Sequence, residues 1–90
     1  MALPFLVGPL PPGFERRVIT VRRRRPYVAV EWQGAIVVVV RGEIALEGLS
    51  GARRQFGAGD VLTLDGVPLR ALHSVGAGPA VLVACGRKAG

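Results

Sequence analysis

Ala35-Ile-Val-Val-Val-Val-Arg-Gly42-Glu-Ile-Ala-Leu-Glu47 is the stretch on which the fold turns. Ala35–Val40 is unbroken, apolar and rich in β-branched side chains, which predicts a strand buried on both faces. Gly42 interrupts it. Glu43–Glu47 then resumes with strict alternation that sends Ile44 and Leu46 inward. A glycine at such a junction lets a strand kink and leave one sheet for another.

The same punctuation runs outward in both directions. Downstream, Gly48-Leu-Ser-Gly51 reads as a four-residue hairpin loop returning on Ala52–Phe56. Gly57-Ala-Gly59-Asp60 turns again, with Gly59 where positive φ is needed and Asp60 able to accept backbone N–H bonds within the turn. Val61–Leu64 is a short strand ended by Asp65-Gly66, and Leu69–Val75 and Ala80–Arg87 flank the turn Gly76-Ala-Gly78-Pro79. Upstream, Val18–Val21 is ended or bent by Arg22–Arg25 and Pro26, and Tyr27–Trp32 reads as a second strand before the Gln33-Gly34 turn. No segment holds a 3.6-residue period between breakers, so seven or eight short strands predict an all-β sandwich or barrel.

Ninety residues allow one domain. It is expected over residues 14–90, preceded by an extended arm over 1–13 in which prolines 4, 9, 11 and 12 forbid helix. The arm's Leu3, Phe5, Leu6, Val7 and Leu10 are expected to pack on the barrel or on a partner subunit. Half the residues are hydrophobic and the mean hydropathy is +0.41, more apolar surface than so small a core absorbs. A homodimer interface or an apolar ligand cavity would take up the surplus.

No apolar run nears the roughly 18 residues of a membrane span, and the N-terminus lacks the basic start of a signal peptide. With Cys85 the only cysteine, a reducing cytoplasm is the expected location and an inert thiol the expected state. The net charge of +6 rests on arginine, since only Lys88 among the twelve basic residues differs. That balance raises nucleic acid as a possible partner.

Ile36–Glu47, a hairpin, Phe56-Gly-Ala-Gly59-Asp60-Val-Leu-Thr-Leu64 and Val67-Pro68 together resemble the cupin superfamily. The resemblance covers residues 27–86. It implies a double-stranded β-helix or jelly-roll barrel, with Gly42 and Gly59 as fold glycines. The family's metal motifs end on a glycine matching Gly42 and open on one matching Gly59. Their histidine positions then fall on Val28 and Val30, or Ala29 and Glu31, the glutamate on Ala35, and the last histidine on Leu69 or Arg70. No histidine stands there, and one carboxylate does not make a site that needs three or more converging ligands. A metal-free barrel with no cofactor is therefore expected.

What chemistry remains is thin. Tyr27, Trp32, Arg41, Arg70 and His73 are the candidates to line a barrel mouth and bind a small organic anion or apolar ligand, arginine being suited to carboxylates. Trp32 beside a turn is equally readable as a dimer anchor or a core lid. His73, the only histidine, is a weak candidate general base that would need Glu31, Asp65 or Tyr27 as its partner. Arg22, Arg23, Arg24 and Arg25 are either a polyanion-contacting ridge or, the favoured reading, a charged edge strand that resists sheet-to-sheet aggregation. A small-molecule binding or sensing module is the function these features favour, ahead of a partner-binding or nucleic-acid-associated protein and of a metal-independent isomerase or epimerase.

Overall fold

The computed structural model describes residues 8–87, so the first seven residues of the predicted arm lie outside the described residues. In chain order the elements are β1 (Phe14–Val21), β2 (Arg24–Pro26), α1 (Ala29–Trp32), β3 (Ile36–Arg41), β4 (Glu43–Gly48), β5 (Arg53–Gly57), β6 (Val61–Leu62), β7 (Leu69–Ser74) and β8 (Ala80–Arg87). They form two four-stranded sheets, ordered β1-β8-β3-β6 and β2-β7-β4-β5, and every pairing is antiparallel. The chain changes sheet at each connection except the β4–β5 hairpin.

Alternation along each strand builds the core between the sheets. Ile19 and Val21 of β1, Val37 and Val39 of β3, and Leu82 and Ala84 of β8 meet Ile44 and Leu46 of β4 and Leu72 of β7. Trp32, Ala35 and Leu64 complete the same cluster from the connections, and no polar or charged residue among those described is buried in it.

Gly42 is the sheet-changing joint. Its φ is +78°, a conformation L side chains rarely adopt, and a Cβ there would stand 3.0 Å from the Pro79 carbonyl oxygen and 3.1 Å from the Ala80 Cα. Gly59 likewise has positive φ, and the Asp60 carboxylate accepts the Gly57 N–H at 2.8 Å across that turn.

Several sequence expectations give way to tertiary packing. The sheets remain two layers and do not close into a barrel, because β6 is only two residues long and no strand of one sheet pairs with a strand of the other. Tyr27–Trp32 is no strand: the Glu31 N–H donates to the Val28 carbonyl at 3.0 Å, and Ala29–Trp32 coils so that Trp32 enters the core with no exposure. Burying that indole outweighs the β-propensity of its neighbours. The strand expected over Val61–Leu64 stops at Leu62, since Leu64 turns into the core.

Ala35–Val40 is buried on both faces only at its centre. Val37, Val38 and Val39 are at most 2 % exposed, whereas Ile36 and Val40 are 44 % and 39 % exposed. The four residues between β4 and β5 are 49–52, one position later than the expected 48–51. Gly48 N–H donates to Ala52 O at 2.8 Å, and Glu47 sits opposite Arg53.

Candidate functional site

Two surface features of this sandwich combine charge with shape, and they share an arginine. The first is a groove of about 490 Å³ at the β4–β5 hairpin end. Leu46 and Leu69, 8 % and 9 % exposed, form its floor. Leu49 and Val67 are its exposed walls, and Arg53 and Arg54 stand among its lining residues. The wall is held in place by the backbone. Leu49 N–H donates to Pro68 O at 3.0 Å, tying the hairpin to the 66–68 turn, and the Arg70 guanidinium donates to Leu49 O at 3.0 Å from outside.

The second feature lies on the outer face of the sheet β2-β7-β4-β5. Alternation puts Arg24, His73, Ala45 and Gln55 in one cross-strand row and Ala71, Glu47 and Arg53 in the next. His73 Nε2–H donates to Glu47 Oε1 at 2.7 Å, with both side chains half-buried. Arg53 and Arg70 stand 3.8 and 3.9 Å from the same carboxylate. The hydrogen bond from His73 is the main cause that holds the Glu47 carboxyl below its ordinary range, with the charges of His73, Arg53 and Arg70 adding to it. Glu47 thereby fixes Arg53 at the groove's border, and Arg70 fixes the groove's wall.

α1 follows β2 at the same end of the sheet β2-β7-β4-β5, where Tyr27 N–H donates to Arg70 O at 3.0 Å. There Arg25 pairs with Glu31 at 2.8 Å, and the Arg17 guanidinium donates to the Glu31 carbonyl. Tyr27 donates to Leu64 O at 3.1 Å. Burial, with the nearby Asp65 charge, pushes its phenol up from the usual value. Both Asp65 carboxylate oxygens accept the Gly34 N–H at 2.9 Å. These contacts lock a connection.

The five residues expected at a barrel mouth are therefore not brought together. Trp32 is core, Tyr27 packs against the core beside Leu64, and Arg41 is exposed at the β3–β4 joint beside Gly42. Arg70 and His73 lie on the outer face of the other sheet. His73 finds its carboxylate in Glu47, not in Glu31, Asp65 or Tyr27, each of which is engaged elsewhere.

Arg22–Arg25 do not form one ridge either. Arg22 and Arg23 occupy a bend, Arg24 stands across from His73, and Arg25 turns to Glu31. β2 is an edge strand, as the charged-edge reading requires.

Of the positions matched to metal ligands, Val28 and Val30 are exposed beside or within α1, and Ala35 and Leu69 are packed in the core. Among the described residues no three His, Cys, Asp or Glu side chains cluster closely enough to hold a metal ion. No helix among them is long and apolar enough to cross a membrane.

Leu49, Val67, Glu47, Arg53 and Arg54 escaped the sequence reading. The legible signal was Gly51: its φ of +92° turns the chain within the 49–52 loop, and the resulting register sets Glu47 opposite Arg53. Comparison with family models, with curated proteins and with solved structures finds no match.

Proposed function

We propose that this protein is a metal-free jelly-roll module of the cupin type whose task is to bind a small organic anion with an apolar body. The observation that carries the ligand class is the groove itself, a leucine floor between Leu46 and Leu69 with Arg53 and Arg54 beside it. Its volume falls within the roughly 300–1,000 Å³ of small-molecule sites. Arg54 has no ion-pair partner among the described residues, so its guanidinium is available to a carboxylate, while Arg53 is held by Glu47. The strand order, with sheets β1-β8-β3-β6 and β2-β7-β4-β5 visited alternately except at the β4–β5 hairpin, supports the jelly-roll assignment.

Binding fits this arrangement better than catalysis. The His73–Glu47 pair has the geometry of an acid–base couple, yet neither residue lines the groove, and each is spent on holding the other and the adjacent arginines.

Thermal unfolding in the presence of straight-chain carboxylates and of primary alcohols of equal length tests the assignment. Stabilisation by a ligand grows with its concentration relative to Kd. The melting temperature should rise with carboxylate chain length, rise less with the alcohols, and lose the carboxylate advantage in Arg54→Gln. Equal responses to carboxylates and alcohols, or none to either, would refute it.

A further inference from the structure

The end of the sandwich far from the leucine groove is basic and built around a glycine-rich turn. Val21 of β1 pairs with Ala80 of β8, so Arg22 follows beside Pro79. On the other side of β8, Arg41 of β3 pairs with Val81. In the second sheet Ser74 N–H donates to Arg23 O at 2.8 Å. The bend at Arg22 and Arg23, the β3–β4 joint and the turn 76–79 are thereby gathered at one end. A hollow of about 550 Å³ lies there, lined by Arg41, Gly42, Val81 and that turn.

Its donors are unspent. Arg22, Arg23 and Arg41 are exposed, and among the described residues none of their guanidinium groups has an ion-pair or hydrogen-bond partner. The N–H groups of Gly76, Ala77 and Gly78 likewise meet no acceptor among the described residues. The turn that carries them is braced from behind. Ser74 Oγ donates to Gly78 O at 2.6 Å, and Val75 N–H donates to Glu43 O at 3.1 Å. The carboxylates of this end are placed at β5. The Glu43 Cγ stands 3.9 Å from where a Cβ on Gly57 would lie, and Asp60 accepts the Gly57 N–H at 2.8 Å. Neither lines the hollow.

Guanidinium forks and successive backbone N–H groups are both phosphate binders. β1 and β3 flank β8, so the backbones at Arg22 and Arg41 lie about 10 Å apart, at ~4.8 Å per strand. Two long side chains can converge from there on one anion over the turn. A nucleic-acid strand would ask for a basic groove that tracks its backbone, whereas these groups surround a single hollow. We propose that this end of the sandwich binds a compact phosphorylated anion of the diphosphate class, with Arg22 and Arg41 on its oxygens and the amides of Gly76, Ala77 and Gly78 donating to it. The site is separate from the leucine groove, which lies at the Gly48 end of β4, and stands without it.

Pyrophosphate titrated into the full chain, followed by amide NMR and by calorimetry, tests the assignment. The Gly76, Ala77 and Gly78 amides should shift saturably, with those of Leu49 and Ser50 at the other end unmoved. Arg41→Gln should raise the calorimetric Kd about tenfold through the loss of charge-assisted hydrogen bonds, and Arg22→Gln should raise it several-fold. Arg87→Gln removes the same charge at the far end of β8, about 23 Å away at ~3.3 Å per residue, and at about 0.15 M salt should change the Kd by less than about twofold. Equal losses from Arg41→Gln and Arg87→Gln would reduce the effect to net charge and overturn the site. So would the absence of saturable amide shifts. A thymidine oligonucleotide that binds more tightly than pyrophosphate would also overturn it, by assigning these arginines to a nucleic-acid strand.

Discussion

The outer faces of the two sheets are built by the same alternation and have opposite chemistry. On β2-β7-β4-β5 the outward positions are Arg24, His73, Glu47, Arg53 and Gln55, paired across strands and content in water. On β1-β8-β3-β6 they include Val18, Val83, Val38, Val61 and Ile36, with Arg16 and Thr20 as polar members of β1. Both sheets supply the core, β1, β3 and β8 with seven residues and β4 and β7 with four, so the contrast concerns the far side of each. The valine face buries Val38 and Val83 at its centre and leaves Val18 and Val61 exposed at its edges. The groove falls at the hairpin end, where Arg53 of the polar face borders leucines of the core.

The single core shared by the two inner faces is the part of this comparison that a mutation strains most. Leu72→Ala in one sheet and Leu82→Ala in the other, both fully buried, should each lower stability by about 2–5 kcal/mol in urea unfolding. A large loss in only one sheet would show that the two are not one core. Gly42→Ala comes next, at about 1–3 kcal/mol, because it forces positive φ on a side chain at the joint between the sheets.

The outer faces then separate. Val38→Thr keeps the shape and adds a hydroxyl at a 2 % exposed position, and should cost about 1–3 kcal/mol. Arg24→Ala, on the exposed side of the other sheet, should stay within about 0.5 kcal/mol. Equal effects would erase the contrast between the faces.

The smallest effect is one of pH. Glu47 has a lowered carboxyl pKa in the folded chain because His73 donates a hydrogen bond to it. Its contribution to stability is in place above the unfolded carboxyl's pKa and is lost as pH falls through the lowered folded value. Glu47→Gln should therefore flatten the decline in melting temperature on the acid side of the carboxylate range. A profile parallel to that of the unsubstituted chain would show that the pair contributes nothing.

Much of the layer structure could be read from residue order. Gly42, the Gly59-Asp60 turn and the alternation of Ile44 and Leu46 mark local conditions that the chain meets on its own, and the structure keeps them. Where the sequence misled, a distant contact decided the outcome. Tyr27–Trp32 has β-forming residues, and only the space between the sheets makes coiling Trp32 inward the better choice. The candidate site was less legible for the same reason. Leu49 and Val67 form a wall because a backbone hydrogen bond joins Leu49 to Pro68 across a gap in the chain. A one-residue shift of the hairpin loop set Glu47 opposite Arg53 instead of Ala52.

The groove assignment meets its most direct test in methyl-resolved NMR of the full chain titrated with octanoate. The expected result is a saturable shift of the Leu46, Leu49, Val67 and Leu69 methyls, absent in Arg54→Gln, with Val18, Ile36 and Val61 unmoved. Saturable shifts confined to Val18, Ile36 and Val61, or no saturable shift anywhere, would contradict it.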